Sequence, residues 1–477
     1  MKKKVYLLPL AAMALTALAG CGQQDNRPVI VYRTWDQGTA AENNEERRLV
    51  QAFEAKENVR VKIVENTTIA GDSNSYWQFL KASIFNGIDV ADVFMLPTIG
   101  NGLESEFLLN IKEYTDADEE FQQVPASIRE ACKFKSGVYA VPARMNLQGY
   151  FANLTVIEAQ LGIDVGEAGE KLSVNSSYDK IEQIINAAAN TPNTNKVFGL
   201  NSPTHFIDTM ASVLDTSDTK TLGYFTWDGS AYHLDDQAFV QGVQKARELF
   251  EAKKTMDAYT ADELAEYDVT DMVDAWNKGK LALRYGATYE MPDMLNPDKK
   301  LPGTTYKFIG NPGGKISIVG DYYGIYKKTE KPELAYKFAK WMSFGKEGFK
   351  KRMELYYPTG AVNSLPLQND VSLVNEYFQK FGSSTEMKGL EDAFEYIKTK
   401  SMVEGAKVVP NYFASRQSAK TGLTVGDVDN ATMFELLNAC VVGGADITLY
   451  TSGTSNINTI ANNRYQAWMN EYGGKYQ

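Results

Sequence analysis

Few residues in this sequence have the types and spacing that catalytic chemistry needs. The chain contains two histidines, His205 and His233, and no segment reads G-x-S-x-G, H-E-x-x-H or a phosphate-binding loop. Histidine-based nucleophilic catalysis and histidine-ligated zinc are therefore disfavoured, and we predict no catalytic residue, no metal site and no cofactor. The 60 Asp and Glu residues leave one enzymatic alternative open, a pair of carboxylates that face each other across a cleft and hydrolyse a glycosidic bond.

The N-terminus suggests a different chemistry, the acylation of a cysteine. Three lysines at positions 2–4 precede an uncharged run over 5–20, which is the pattern of a secretory signal and is shorter than a membrane-spanning helix of about 20 apolar residues. Its end, LAGC at 18–21, resembles the lipobox of bacterial lipoproteins. We predict that residues 1–20 are removed, that Cys21 is lipidated and that residues 21–27 form a polar tether. Ordinary cleavage at ALA (17–19) and an unprocessed Cys21 are the alternatives.

Charge and cysteine content narrow the class of protein. The formal charge is -11, and removal of the signal lysines changes it to about -14. Such an acidic surface argues against nucleic acid as a partner, because binding to phosphates depends on Lys and Arg. The length of 477 residues predicts two or three domains. Apart from Cys21 the cysteines are Cys132 and Cys440, whose wide separation predicts buried free thiols rather than a disulfide framework.

The first part of the chain alternates strand and helix patterns. The β-branched run Val29–Tyr32 predicts a buried strand, and Thr39–Glu42 has the form of a capping box at a helix start. Leu49 and Phe53 follow at helical spacing, and Val59–Ile63 alternates as a half-buried strand does. The order so far is strand, helix, strand.

The pattern then repeats once more. Trp77 to Phe85 predicts a helix that ends at Gly87, and Asp89–Leu96 predicts another short strand. A βαβαβ order predicts a parallel sheet covered by helices, whose ligands bind beyond the carboxyl ends of the strands. We expect the loops Thr34–Gly38 and Pro97–Asn101 to lie there.

Five segments in the same order resemble extracellular solute-binding proteins of ABC importers, the family 1 group that includes maltose-type sugar binders. They are AFEAKENVRVKIVE (52–65), FLKASIFNGIDVADVFML (79–96), GVYAVPARMNLQGYFANLTVIEAQLGID (137–164), WNKGKLALRYGA (276–287) and KPELAYKFAKWMSF (331–344). The resemblance extends from Pro28 to about Lys351. The last third, from about Glu354, keeps the late helix and its glycine stop but otherwise fits the family less well.

The resemblance implies an α/β fold, a two-lobed periplasmic-binding-protein-like architecture with a ligand cleft between the lobes. By the family's topology, lobe 1 takes 28–144 plus 306–352 and lobe 2 takes 145–305 plus 353–477. The lobes close over a small-molecule solute, and ABC permease subunits in the membrane recognise the closed form. We therefore expect a monomer that is lipid-anchored on the extracytoplasmic face of the bacterial cell membrane.

A carbohydrate is the expected solute. A sugar has apolar faces that stack on aromatic rings and a rim of hydroxyls that bond to carboxylates and amides. The predicted ligand-binding residues are Trp35, Asp36, Arg144, Asn146, His205, Phe206, Tyr289, Asp321, Tyr322 and Tyr323. Packing is the alternative reading of each aromatic residue, and an interlobe ion pair is the alternative for Arg144 and Asn146.

Three other tryptophans, Trp77, Trp276 and Trp341, lie at helix-core spacing, which indicates packing. Trp227 lies in a predicted surface hairpin.

Three functions are alternatives to sugar import. One alternative is the same scaffold binding a polyamine, a metal complex or a phosphorylated polyol. A second is the carbohydrate-active enzyme with paired carboxylates. The third is a lipoprotein that serves only adhesion or scaffolding.

Overall fold

The computed structural model describes residues 25–35, 37–65, 73–165, 172–202, 207, 227–296, 298–312, 316–356, 364–382, 387–403, 405–409 and 420–476. Four predicted site residues lie outside the described residues, namely Cys21, Asp36, His205 and Phe206. The predicted signal peptide also lies outside them. In the described part of the chain, no helix is both long enough and apolar enough to span a membrane.

The strands of the described residues form one mixed ten-stranded sheet and one separate two-stranded ladder. The strands are β1 Val29–Arg33, β2 Arg60–Val64, β3 Val93–Leu96, β4 Lys133–Phe134, β5 Gly137–Val138, β6 Val141–Asn153, β7 Phe198–Leu200, β8 Leu281–Ala287, β9 Tyr306–Gly310, β10 Ile316–Ile325, β11 Met387–Lys388 and β12 Ser401–Val403. The small ladder pairs β4 with β5, and the main sheet runs in the order β11-β9-β6-β10-β3-β1-β2, with β12 on β10 and β7–β8 on β6.

Helices cover this sheet. The first group is α1 Glu45–Glu57, α2 Ser73–Asn86, α3 Ile99–Glu104, α4 Lys112–Ala117, α5 Glu119–Gln122, α6 Ala126–Ala131, α7 Leu154–Ala159, α8 Tyr178–Ala189, α9 Gln237–Glu251 and α10 Ala261–Glu266. The second group is α11 Met272–Asn277, α12 Met291–Met294, α13 Pro332–Trp341, α14 Lys346–Tyr356, α15 Val371–Tyr377, α16 Leu390–Lys400, α17 Gly405–Val408, α18 Met433–Val441, α19 Thr448–Thr451 and α20 Ile457–Tyr472. Short 3-10 turns lie at Asn193–Asn195, Met256–Ala258, Thr288–Glu290 and Gly473–Lys475, and a π-helical turn lies at Phe378–Gly382.

The N-terminal βαβαβ unit has the predicted parallel topology. β1 pairs in parallel with β2 and with β3, and α1 packs its buried Leu49 and Phe53 into the core. The helix starts later than the Thr39–Glu42 pattern predicts. Asn44 caps it by accepting a hydrogen bond from the Arg47 amide, whereas Glu42 bonds to the Thr39 amide within a separate turn. The capping-box prediction is therefore wrong. The same hydrogen bond, from the Thr39 amide to Glu42, can also close a turn that does not start a helix.

Two other local predictions need correction. The strand predicted over Asp89–Leu96 begins only at Val93, because Asp89 takes a left-handed conformation with φ 51° and Asp92 turns its carboxylate to the Val31 amide. Trp227 does lie in a short antiparallel bridge, but its side chain is 2% exposed rather than on the surface. Its ring packs against Tyr465 of α20 at 4.6 Å between centroids, a long-range contact that local patterns do not reveal.

Long strands β6 and β10 connect the two halves of the main sheet. The first part of β6 pairs antiparallel with β10, and the end of β10 pairs with β3. The last part of β6 instead pairs with β8 and β9. A bulge between Asp321 and Tyr322 interrupts the β6–β10 register, and a bulge of this kind bends the bulged strand. The crossover strands thus join β1–β3 on one side to β7–β9 on the other.

Three hydrophobic clusters form the core of the described residues. One, with members between Tyr150 and Ile309, packs α7 and α8 on β7 and β8, while the largest contains residues from both halves of the sheet. Trp77 and Trp276 belong to the largest cluster and the partly buried Trp341 packs against it, which confirms their assignment to packing.

The last described α-helix contacts two segments that are distant from each other in the sequence. Asn458 and Asn462 of α20 bond to the backbone at Leu234 and Tyr232, while the Trp468 indole donates to Glu104 at 2.8 Å. The predicted lobe boundaries stay a prediction.

Both described cysteines behave as predicted. Cys132 and Cys440 are free and buried. Burial raises the pKa of the Cys132 thiol well above its ordinary range and raises the pKa of Cys440 to about 12. Both thiols are therefore protonated at neutral pH and have the character of core residues.

Candidate functional site at the crossover strands

The crossover of β6 and β10 brings together polar residues from distant parts of the sequence. Arg144 lies opposite Asp321 in the antiparallel register, and Asn146 lies opposite Val319. Residues 144 and 146 are two apart on one strand, so their side chains point to the same face of the sheet. Three of the predicted site residues therefore lie within one short stretch of the crossover.

A buried ion cluster anchors Arg144. Glu46 of α1 accepts hydrogen bonds from the Arg352 guanidinium of α14 and from the Tyr356 hydroxyl, the latter at 2.9 Å. The Nη2 atom of Arg144 lies 3.7 Å from Glu46 Oε1. Burial by itself raises the pKa of Glu46, but the two guanidinium groups outweigh it and hold that pKa below its usual value. The cluster thus ties the first and fourteenth helices to the crossover strand.

A second ion pair lies at the same crossover and is more accessible. The Lys407 ammonium of α17 donates to the Asp321 carboxylate, and the two side chains are 25% and 19% exposed. The same ammonium lies 5.9 Å from the centroid of the Trp35 ring. Burial raises the pKa of Asp321, yet Lys407 and Arg144 together hold it below its ordinary value, so the carboxylate is ionised at neutral pH.

Trp35 is positioned by the end of β1. The strand ends at Arg33, and the Trp35 ring, which is partly buried, packs edge to face with Tyr76 at 5.1 Å between centroids. Tyr76 in turn donates its hydroxyl to the Arg33 carbonyl. The ring is therefore held at the carboxyl end of a parallel strand, where ligands of such sheets bind.

The turn after β8 is bonded to the same part of β6. The Thr288 hydroxyl donates to the Asn146 side-chain oxygen at 3.0 Å and accepts the Leu147 amide proton at 3.1 Å. Tyr289, the next residue, is 56% exposed, and Glu290 pairs with Arg284. An exposed ring therefore lies one residue from a side chain that contacts Asn146.

The two tyrosines after Asp321 lie deeper. Tyr322 and Tyr323 are 1% and 0% exposed and belong to the large core cluster. The Tyr323 hydroxyl bonds to the Tyr32 hydroxyl at 3.0 Å, and burial raises its pKa to about 12. Ligand contact by either ring remains a prediction, and both residues lie on β10 where it pairs with β6 and β3.

Sequence reasoning missed the charged partners of the site. Glu46, Arg352 and Lys407 were not predicted as site residues. Glu46 and Lys407 each lie more than 80 residues from the predicted residue that they contact, and Arg352 lies 306 residues from its partner Glu46. No local pattern marks them, since an isolated Lys or Glu on a helix is ordinarily a solvated surface residue. The described residues contain no cluster of His, Cys, Asp and Glu that could hold a metal ion.

A separate surface depression has no lining residue in common with the crossover site. Its volume is about 670 Å³, and it lies between α4–α5 and α13, with Tyr114, Asp118, Tyr336 and Lys340 among its lining residues. The Lys340 ammonium pairs with Asp118 at 2.8 Å, and Tyr336 donates to the same carboxylate. These contacts stabilise a helix junction.

Solved structures with this architecture are solute-binding proteins of low sequence identity. An ABC substrate-binding protein of Listeria monocytogenes in complex with cycloalternan has a TM-score of 0.60 at 16% identity and covers 94% of this chain and 100% of its own. A sugar transporter of Rhizobium etli in an open conformation has a TM-score of 0.63 at 14% identity, with coverages of 92% and 99%. The GacH receptor of Streptomyces glaucescens, solved unliganded and with acarbose, has a TM-score of 0.57 at 16% identity, with coverages of 94% and 99%.

These similarities confirm the predicted fold class, a mixed α/β protein of the two-lobed periplasmic-binding-protein type. The sequence has no significant match among curated proteins. It does match the profile of the family described as bacterial extracellular solute-binding protein, over residues 38–344. Because this match covers more than half of the chain, the chain belongs to the bacterial extracellular solute-binding protein family.

Proposed function

We propose that this protein is the lipid-anchored solute-binding subunit of an ABC importer and that its solute is an oligosaccharide. The observation that carries the proposal is that one side chain, Lys407, contacts both the partly exposed Trp35 ring and the Asp321 carboxylate. Asn146 lies two residues along β6 from Arg144, the register partner of Asp321. A ring that stacks on a sugar face and acceptors that bond its hydroxyls are what a carbohydrate site requires. The relatives solved with cycloalternan and acarbose support the same class of solute.

Lobe closure is the proposed means of delivery. β6 and β10 join both halves of the sheet, and the bulge at Asp321 interrupts their ladder at the site itself. A hinge is formed by a few residues that absorb the change in backbone angles, and we place it at the bulge. The closed lobes would then be recognised by the permease subunits, and the protein would act as a monomer.

The lipid anchor is proposed from the sequence. The LAGC segment ends a signal-like run, and the tether GQQDNRP of seven residues reaches roughly 20 Å when extended. An anchor of two or more acyl chains would keep the receptor close to its permease. Labelling of the expressed protein with radioactive palmitate, with Cys21→Ser as the control, tests this step. Incorporation into the Cys21→Ser variant would contradict it.

Two alternative functions are less well supported at this site. A polyamine carries several ammonium groups, which the Lys407 and Arg144 cations beside Asp321 would repel. We propose no hydrolysis, because the family consists of binding proteins, and the paired acid at the crossover is salt-bridged rather than placed as a proton donor. Release of nitrophenol from chromogenic glycosides would contradict this part of the proposal.

The test is the melting temperature of the mature chain against mono- and oligosaccharides, polyols, polyamines and divalent metals. A ligand that binds only the native state stabilises it by about 2.7 kcal/mol at a hundredfold excess over Kd. We expect an increase with one group of oligosaccharides and none with polyamines. An increase with polyamines or metals alone would overturn the carbohydrate assignment.

A pair of alanine variants locates the site. Trp35→Ala should weaken saccharide binding by about thirtyfold, because a stacked aromatic ring contributes about 2 kcal/mol through buried area and stacking. Phe85→Ala is the matched control, since Phe85 is 77% exposed and lies at the end of α2. Equal affinities of the two variants, measured by titration calorimetry, would contradict the placement of the site.

A further inference from the structure

The Lys407 side chain contacts Trp35 and Asp321, the two residues that the proposed function assigns to saccharide binding. Its ammonium pairs with Asp321 Oδ1 and stands over the Trp35 ring, 5.9 Å from the ring centroid. A cation within about 6 Å of an aromatic centroid is attracted by the ring's quadrupole. The Lys407 side chain therefore occupies one face of the Trp35 ring and bonds to one carboxylate oxygen of Asp321.

The segment that carries Lys407 is fastened to the same crossover. β12 pairs in parallel with the start of β10 through Ser401–Val403, and α17 follows it after one residue and packs against α3. Val408 and Val409, which follow Lys407 directly, are buried. The backbone is thus held by β-pairing and apolar burial, while the Lys407 side chain remains a quarter exposed.

We propose that Lys407 is a specificity-determining residue of this site, a tethered competitor that a saccharide must displace from Trp35 and Asp321. The inference rests on the proposed function, since it assumes that the saccharide stacks on Trp35. A lysine side chain can move away without any change in its backbone, because its ammonium group is strongly hydrated and is carried on a flexible four-carbon stem. A saccharide that contacts only Trp35 gains little binding free energy beyond what is lost when Lys407 is displaced. A saccharide with further contacts in the cleft gains more binding free energy than the displacement of Lys407 costs.

Competition has a signature that a direct ligand contact does not have. Removal of the competitor strengthens binding, whereas removal of a contact weakens it. We expect Lys407→Met, which keeps the apolar stem without the charge, to bind a neutral oligosaccharide about tenfold more tightly than the wild-type chain. Lys407→Arg should bind like the wild type, because it keeps the cation.

Ionic strength supplies a second readout that needs no variant. Salt screens a partly exposed ion pair but has little direct effect on a neutral sugar. The wild-type affinity for a neutral oligosaccharide should therefore rise about two- to threefold between about 0.05 and 0.5 M salt. The affinity of Lys407→Met should not change with salt.

The experiment is titration calorimetry of the wild-type, Lys407→Met, Lys407→Arg and Lys112→Met chains with the oligosaccharide that raises the melting temperature most. Lys112 is the matched control, because it pairs with Asp116 on an exposed helix face. Tighter binding by Lys407→Met together with a salt-enhanced wild-type affinity supports the inference. Weaker or unchanged binding by Lys407→Met overturns it.

The same measurements separate this inference from the proposed function. Absence of saccharide binding by the wild-type chain would remove the proposed function, and the inference with it. Binding that Trp35→Ala weakens and Lys407→Met leaves unchanged would retain the saccharide site and overturn the role of Lys407 alone. If Lys407→Met did not fold, the salt dependence of the wild-type affinity would still decide the inference.

Discussion

Two ion pairs at the crossover strands differ in how much water they meet. Glu46 and Arg352 are 3% and 2% exposed, whereas Asp321 and Lys407 are 19% and 25% exposed. A buried charge that loses its partner is strongly destabilising, while an accessible charge can exchange its partner for water or for a ligand. The comparison indicates that the first pair holds helices to the crossover strand β6, and in the proposed function the second pair belongs to the saccharide site.

The largest expected effect comes from breaking the buried pair. Arg352→Met should lower the free energy of unfolding by about 3 kcal/mol, because it leaves Glu46 buried with only Arg144 at 3.7 Å and the Tyr356 hydroxyl. Urea denaturation at neutral pH measures this loss. Lys112→Met is the control, since it breaks an exposed pair and should cost no more than about 1 kcal/mol. Similar losses in the two variants would contradict the distinction between the pairs.

Breaking the accessible pair should act on binding rather than on stability. Asp321→Asn should weaken the binding of a saccharide about tenfold, because a hydrogen bond to a charged acceptor is about 1.4 kcal/mol stronger than one to a neutral amide. Its free energy of unfolding should stay within about 1 kcal/mol of the wild type. Asp116→Asn is the matched control for calorimetry and denaturation alike. If Asp321→Asn lost stability but kept its affinity for the saccharide, the Asp321–Lys407 pair would be a stabilising pair rather than part of the binding site.

A smaller effect is expected from acid. Two guanidinium groups hold the pKa of Glu46 below its usual 4.5, although burial opposes them. Because the pKa is lower in the folded state, this stabilisation is complete above the unfolded value and is lost as the pH falls through the folded pKa. The free energy of unfolding, measured by urea denaturation, should therefore fall as the pH is lowered below about 4.5.

The Arg352→Met variant sharpens the acid experiment. Without Arg352 the carboxyl of Glu46 keeps its burial and loses its principal opposing charge, so its pKa should rise. The variant should then lose less stability than the wild type over the same pH range, as measured by urea midpoints. Parallel pH profiles would show that Glu46 does not carry the acid dependence.

Several site residues were predictable because they follow strand patterns. Trp35 follows the β-branched run Val29–Tyr32 within three residues, and Arg144 and Asn146 follow the GVYAVP segment (137–142) within four. These positions are set by local periodicity, so the sequence indicates them, although their contact with ligand remains a prediction. The burial of Tyr322 and Tyr323 was not predictable in the same way, since adjacent residues of a strand face opposite sides and both sides of this strand are covered.

The errors have a common origin in contacts between distant segments. Trp227 looked like a surface residue because its own hairpin is polar, but α20 covers it from more than 200 residues away. Thr39 and Glu42 make the hydrogen bond that their pattern predicts, yet in a turn rather than at a helix start. In the second case the sequence predicted the hydrogen bond, but whether that bond lies in a turn or at a helix start depends on the surrounding packing.

The sequence by itself determined the strand–helix order of residues 29–96, the family and the buried state of Cys132 and Cys440, because these follow from periodicity, composition and short motifs. Only the tertiary structure decided that Glu46 and Arg352 meet Arg144, and that Lys407 stands between Trp35 and Asp321. The physical reason is the range of the interactions. Hydrogen bonds within helices and turns join near neighbours in the chain, whereas ion pairs and ring contacts depend on which elements the fold brings side by side.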